Sequence, residues 1–189
     1  MDECQCVARA IAGDLSAFDL LVERYQRAVY NLAYRMLGNA ADAEDAAQET
    51  FLRAFASLSS YQATRKFGTW LLSITSHWCI DRLRRRKVIS LEFLQDISLV
   101  GGLSEGPEAE VMAREHEREV HRWLEMLPEA YRLIIVLRYW HDLSYNEIAD
   151  VTGLPLSTVR MRLFRARRLL AAAHNAARQP SRPVAALAS

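Results

Sequence analysis

Apolar residues recur along this chain at steps of three and four, the period of a helix rather than of a strand. Phe18, Leu21, Val22, Tyr25, Val29, Leu32 and Met36 form one stripe, which stops at Gly38-Asn39. Ala47, Thr50, Phe51, Ala54, Phe55 and Leu58 form a second. After the polar stretch SSYQATRK, a third begins with Phe67, Trp70, Leu71, Ile74 and Trp78 and runs into the block RLRRRK, Arg82 to Lys87. These stripes predict an N-terminal helical domain over residues 1–89. Gly101, Gly102, Gly106 and Pro107 break any long helix in the next segment, and Glu92, Asp96, Glu105 and Glu108 make it acidic. A flexible linker over 90–110 is expected, with a short helix around Leu91 to Asp96. Helical periodicity resumes near Ala109, and Pro128 suits the first turn of a helix that carries Tyr131, Ile134, Ile135 and Leu137. A second domain over 111–173 follows. The tail, 174–189, holds Pro180, Pro183 and small residues and is expected to be disordered. The fold class is therefore all-α, with two small helical domains joined by an acidic linker.

The most specific pattern is LSYNEIADVTGLPLSTVRMRLFRARRLL, Leu143 to Leu170. Ser144 with Glu147 makes a capping box, so a helix should start there. Gly153 can take the left-handed conformation that ends it. Pro155 blocks continuation, and Ser157 or Thr158 is placed to cap the next helix. On that helix Val159, Leu163, Ala166 and Leu170 form one apolar stripe. Opposite lie Ser157, Met161, Arg165 and Arg168, flanked by Thr158, Arg160, Arg162 and Arg167. A helix-turn-helix with a second helix buried on one side and positive on the other suits the major groove of DNA. Arginine can bridge phosphate or grip guanine through two parallel hydrogen bonds, and Met161 can meet a thymine methyl.

Charge sharpens this picture. The net charge of +1 over 189 residues hides a segregation. Gly153 to Ser189 holds seven arginines and no acid, whereas Val88 to Tyr131 holds ten acids against three arginines. With RLRRRK, this makes two basic sites separated by an acidic connector, as expected of a protein that touches nucleic acid at two places. Hydrophobic content of 51% permits real cores. No apolar run reaches membrane-spanning length, and MDECQC lacks the features of a leader, so a cytoplasmic protein without membrane insertion is expected. Three cysteines form no disulfide framework.

In the N-terminal domain, Phe67 and Trp70 lie between Arg65-Lys66 and RLRRRK. Aromatics interleaved with cations suit single-stranded DNA, whose bases stack while cations hold the backbone. Helical spacing alone favours a core role for Phe67, Trp70, Ile74 and Trp78, and both readings can hold for different rings. Asp42, Glu44, Asp45, Gln48 and Glu49, followed by Leu52, present an acidic face. It is either plain solvated surface, favoured by the helix dipole, or a docking site for a basic partner, and spacing does not choose. His77 and Cys79, or Cys4 and Cys6, do not complete a tetrahedral metal set, so no metal is expected.

Three segments carry a resemblance. DAEDAAQETFLRAF (Asp42 to Phe55), FGTWLLSITSHWCIDRLRRR (Phe67 to Arg86) and Leu127 to Leu170 are similar to conserved regions 2.2, 2.3–2.4 and 4 of the extracytoplasmic-function (ECF) sigma factors, compact members of the sigma-70 superfamily. The resemblance implies a sigma region 2-like bundle and a region 4-like helix-turn-helix domain, with no catalytic residue and no cofactor. It implies a subunit that binds core RNA polymerase, reads two promoter elements, melts the promoter and directs initiation of a stress or envelope-response regulon. The minus-thirty-five element would fall to Ser157, Thr158, Arg160, Met161, Arg162, Arg165 and Arg168. The minus-ten element would fall to Tyr61, Thr64, Arg65, Lys66, Phe67, Trp70, Ser73, His77, Arg82, Arg84 and Arg85, with the loop Tyr61 to Lys66 capturing a flipped base. Asp42, Asp45, Gln48, Glu49 and Leu52 would dock on the clamp helices of the largest polymerase subunit. The flap region of the second-largest subunit and an anti-sigma factor complete the implied partners. Two positions depart from the family pattern: His77 stands where Asn is usual, and Met161 where a small residue is common.

Two rival readings remain on the residues alone. One is a dimeric helix-turn-helix regulator acting without polymerase at a two-fold symmetric site. The other is a nucleic-acid enzyme using the acids of Asp42 to Glu49.

Overall fold

The computed structural model describes residues 2–93 and 108–178, and among these every regular element is helical. The order is α1 (Glu3–Ile11), α2 (Leu15–Leu37), α3 (Ala40–Ser57), a 3-10 turn (Leu58–Ser60), α4 (Phe67–Phe93), α5 (Glu108–Glu125), α6 (Glu129–Tyr139), α7 (Tyr145–Thr152) and α8 (Leu156–Arg178). None of the described helices is long and apolar enough to cross a membrane.

Local chemistry sets the helix ends. Asp14 caps α2 by accepting the Ala17 N–H, and Gly38, at φ +81°, turns the chain out of it. Asn39 caps α3 by accepting the Asp42 N–H at 2.7 Å. At α7 both halves of the expected capping box form: Ser144 Oγ accepts the Glu147 N–H, and Glu147 accepts the Ser144 N–H at 2.9 Å. Gly153 leaves α7 at φ +67°, in the left-handed region the sequence called for.

Two apolar clusters organise the packing. Cys6, Val7 and Ala10 of α1 meet Leu21 and Val29 of α2, Ala54 of α3 and Leu71 of α4. This closes a bundle of α1 to α4. The second cluster joins Leu32 and Met36 of α2 and Leu72 and Cys79 of α4 to Ile134 and Val136 of α6, Ile148 and Val151 of α7, and the expected α8 stripe of Val159, Leu163 and Ala166. Each Val, Leu, Ile or Met among them contributes roughly 1.5–3 kcal/mol on burial. The helix-turn-helix domain thus shares a core with the N-terminal bundle. Arg132 of α6 is buried in this junction and donates to the Met36 carbonyl at 2.7 Å and the Glu125 carbonyl at 3.2 Å. Burial pulls its pKa below the ordinary arginine value.

Several boundaries differ from the sequence expectation. The helix α1, capped by Asp2, stands in a segment given no element there. The residues Leu91 to Phe93 continue α4 rather than starting a separate short helix, and 94–107 lie outside the described residues. Similarly, α8 continues to Arg178, into the stretch expected to be a disordered tail, and 179–189 lie outside the described residues. Neither Ser157 nor Thr158 caps α8. The Pro155 carbonyl accepts the Thr158 and Val159 N–H groups, so the helix starts earlier, at Leu156. Pro128 does the same for α6, accepting from Tyr131 and Arg132 as its N-cap rather than standing in its first turn. A proline has no N–H to lose at that position, and its fixed φ suits it.

Candidate nucleic-acid interface

The outward side of α8 is built as its period requires. Val159, Leu163 and Ala166 are at most 1% exposed, which turns Ser157, Met161, Arg165 and Arg168 to solvent. Arg160 and Arg167 are exposed, and Thr158 and Arg162 are half-buried. Arg167 is drawn back onto α6, donating to the Tyr139 hydroxyl at 2.7 Å with its guanidinium over that ring. Arg168 lies over the exposed Phe164 ring. Among the described residues no carboxylate pairs with Arg160, Arg162, Arg165, Arg167 or Arg168, so none neutralises this face.

The second site joins the loop before α4 to that helix. Tyr61, Phe67 and Trp70 form an aromatic cluster with ring centroids 5.2–5.5 Å apart, and Tyr61 donates to the Arg65 carbonyl, folding the loop on itself. Burial and the nearby Glu3 and Cys4 raise the Tyr61 pKa, so it stays a neutral phenol. The cluster sorts the rings. Phe67 is 1% exposed and also packs on Tyr25, whereas Trp70 and Tyr61 are half-buried with part of each ring reachable. Phe67 therefore belongs to the core, and its place among the expected DNA contacts is corrected. Thr64, Arg65 and Lys66 are exposed. The loop and α1 bound a cleft of about 380 Å³, lined by Val7, Ile11, Tyr61, Thr64, Arg65 and Lys66. Lys66 reaches to the other domain, where its Nζ lies 2.7 Å from Glu147 Oε1.

Farther along α4, Ser73 is half-buried and donates to the Trp70 carbonyl. His77 is exposed, with its Nδ1 2.6 Å from the Ser73 carbonyl. Cys79, on the other side of the helix, is fully buried, and burial pushes its thiol up to about 12. His77 and Cys79 thus face apart, and no described group of three His, Cys, Asp or Glu side chains is arranged to hold a metal ion.

The basic block is partly engaged. Arg82 and Arg86 both pair with Asp42, Arg82 at 3.1 Å, while Arg84 and Arg85 are exposed. This corrects the reading of Asp42. It is 7% exposed, bonded by Asn39, Arg82 and Arg86, and not presented to a partner. The cause is its position in the first turn of α3, beneath the C-terminal half of α4. Asp45, Gln48 and Leu52 remain on one exposed face of α3, with Leu52 66% exposed, and Glu49 beside them pairs with Arg53 at 2.7 Å. Sequence spacing offered no sign of the Asp42–Arg82–Arg86 cluster, which joins residues 40 and 44 positions apart.

Comparison with known proteins agrees with this division. The family model "Sigma-70 region 2" matches residues 21–88, and "Sigma-70, region 4" matches residues 117–170. The chain is 38% identical to the ECF RNA polymerase sigma factor SigW of Bacillus subtilis over 166 residues, covering 84% of this chain and 89% of that protein. It is 37% identical to the RNA polymerase sigma-H factor of Pseudomonas aeruginosa over 171 residues, covering 86% and 89%. The structure of CnrH in complex with the cytosolic domain of CnrY aligns with a TM-score of 0.69 at 28% identity, covering 90% of this chain and 96% of that one.

Proposed function

Because this chain belongs to the ECF sigma factors, non-catalytic specificity subunits of RNA polymerase, we propose how its surfaces divide promoter recognition. The unpaired positive face of α8, with Ser157, Met161, Arg165 and Arg168 outward, is the observation that carries the reading. It reads the minus-thirty-five element as duplex in the major groove. Arg160 and Arg162 at its flank hold phosphates, and Met161 supplies an apolar contact. The loop from Tyr61 to Lys66, with Trp70, Ser73, His77, Arg84 and Arg85, receives the minus-ten element as a separated strand. Rings at the loop stack on bases while the arginines follow the backbone. The cleft beside α1 takes one flipped base, whose extrusion costs a few kcal/mol.

Asp45, Gln48, Glu49 and Leu52 form the docking face for the clamp helices of the largest subunit, and the helix-turn-helix domain meets the flap region of the second-largest. The chain itself performs no bond chemistry. It supplies binding energy that favours the melted promoter, and so directs initiation at a set of stress or envelope-response genes. The CnrH structure holds the cytosolic domain of CnrY, which supports a second protein as a further partner here, and an anti-sigma factor is the partner we propose.

Run-off transcription with purified core polymerase and a genomic promoter library tests the proposal. Specific transcripts should appear only when the chain is added. Core binding with no start site on any promoter would overturn it.

A further inference from the structure

The arginines of α4 divide between two sides of the helix. At about 100° per residue, Trp70, Ser73, His77 and Arg84 fall within about 60° of one another, on a single face. Arg82 and Arg86 fall on the opposite face, with Thr75, whose hydroxyl lies 3.4 Å from that of Thr50 on α3. The side bearing the expected strand contacts is turned away from α3, and the other pair of arginines is turned toward it.

Asp42 meets that second pair. One carboxylate oxygen accepts from Arg82 at 3.1 Å, and the other accepts from Arg86 and Asn39. Arg86 also donates to the Leu37 carbonyl at 3.4 Å, and Arg82 lies over the Trp78 ring. The Asp42 side chain is 10% exposed, whereas those of Arg82 and Arg86 keep 45% and 40%. A carboxylate so enclosed is little screened by salt and holds its cations more firmly than a surface pair does. Without it, both guanidinium groups have the exposure and the length to reach a passing phosphate. Arg84 and Arg85 pair with no carboxylate among the described residues.

Free positive charge on the wrong side of a reading helix works against recognition. A cation that meets the phosphates of any strand adds the same binding energy for every sequence, so it raises affinity without discrimination. We propose that Asp42 is a positioning residue for promoter selectivity: it withholds Arg82 and Arg86 from the DNA backbone and leaves Arg84 and Arg85 as the phosphate contacts of α4. The inference rests on the functional reading above. It moves Arg82 from the expected minus-ten contacts to the withheld pair.

Salt titration of holoenzyme binding reads this directly, because each phosphate neutralised on a single strand adds about 0.7 to the slope of log K against log salt. The probes are a single strand from the minus-ten region of a transcribed promoter and the same strand scrambled, followed by fluorescence anisotropy. Asp42→Asn keeps the shape of the side chain and removes its charge. It should bind the scrambled strand several-fold more tightly than wild type, with a slope steeper by about 0.7–1.4, so preference for the minus-ten strand falls. Adding Arg82→Gln and Arg86→Gln to Asp42→Asn should return slope and preference to wild type, a result that a merely structural Asp42 would not give. In the wild-type background Arg84→Gln should flatten the slope on the minus-ten strand, whereas Arg86→Gln should leave it unchanged. That comparison stands even where Asp42→Asn fails to fold. An unchanged slope in folded Asp42→Asn, a steeper slope that survives loss of both arginines, or equal flattening by Arg84→Gln and Arg86→Gln would each overturn the inference. A wild-type holoenzyme that binds the two strands equally would sink the functional reading, and the inference with it.

Discussion

At the scale of single residues, the partners of a charge decide what it can do. Arg165 and Arg168 have the same composition value as Arg82 and Arg86, yet only the latter pair is tied to a carboxylate, Asp42. Replacing Arg165 or Arg168 by Ala should weaken holoenzyme binding to the upstream element. The loss should be about 1–3 kcal/mol where a base edge is read. Fluorescence anisotropy on labelled duplex measures it, and unchanged affinity in both variants would contradict the orientation of α8. Asp42→Ala should act on stability. It strips a nearly buried acceptor from two guanidinium groups and from Asn39, with a cost of about 1.5–3 kcal/mol. Urea denaturation reads that loss, and an unaltered midpoint would show that water replaces the carboxylate at no cost.

At the scale of elements, the helices were legible wherever a local rule governed them. Ser144 and Glu147 lie three residues apart, so their capping box can be read directly from the chain. Gly153 was likewise marked by the need for positive φ, and the first stripe stopped at Gly38, which also takes one. The α8 stripe followed from period alone. What escaped was set by partners distant in sequence. Phe67 and Trp70 share one helical stripe, but only packing against Tyr25 and Tyr61 decides that Phe67 is enclosed. Asp42 looked like its acidic neighbours on α3 because Arg82 and Arg86 are a helix away. The exposed remainder of that face gives its own test. Asp45→Lys with Glu49→Lys should reduce retention of core polymerase in a pull-down while leaving the helical circular dichroism intact. Normal retention would return Asp45 and Glu49 to ordinary solvated surface.

At the scale of the whole molecule, the shared core couples domain arrangement to protonation. His141, in the turn between α6 and α7, is pushed down to about 4 by burial and by Arg35 of α2, and its Nε2 has no hydrogen-bond partner. Glu3, Lys66, Asp142 and Glu147 line the same cleft. The folded pKa lies below the unfolded value of 6.5, so the unfolded chain takes up the proton first. Stability from a neutral His141 is complete above about pH 7 and declines as pH falls through 6.5 toward 4. Asp14 and Glu147 are each held at about 2 by hydrogen bonds and ion pairs, so their contribution is lost only at lower pH. Thermal unfolding should therefore show a Tm lower at pH 5 than at pH 7.5, with a shallower slope in His141→Gln. Identical slopes in the two proteins would remove His141 from the account.

The whole-molecule claim is that one chain, bound to core polymerase, holds two promoter elements and melts one of them. Footprinting of the holoenzyme on a responsive promoter, combined with permanganate reactivity of thymines, tests this most directly. The account predicts protection at an upstream and a downstream promoter element, with reactive thymines only at the downstream one. Protection by the chain alone at a single two-fold symmetric duplex site, with no reactive thymine, would contradict it.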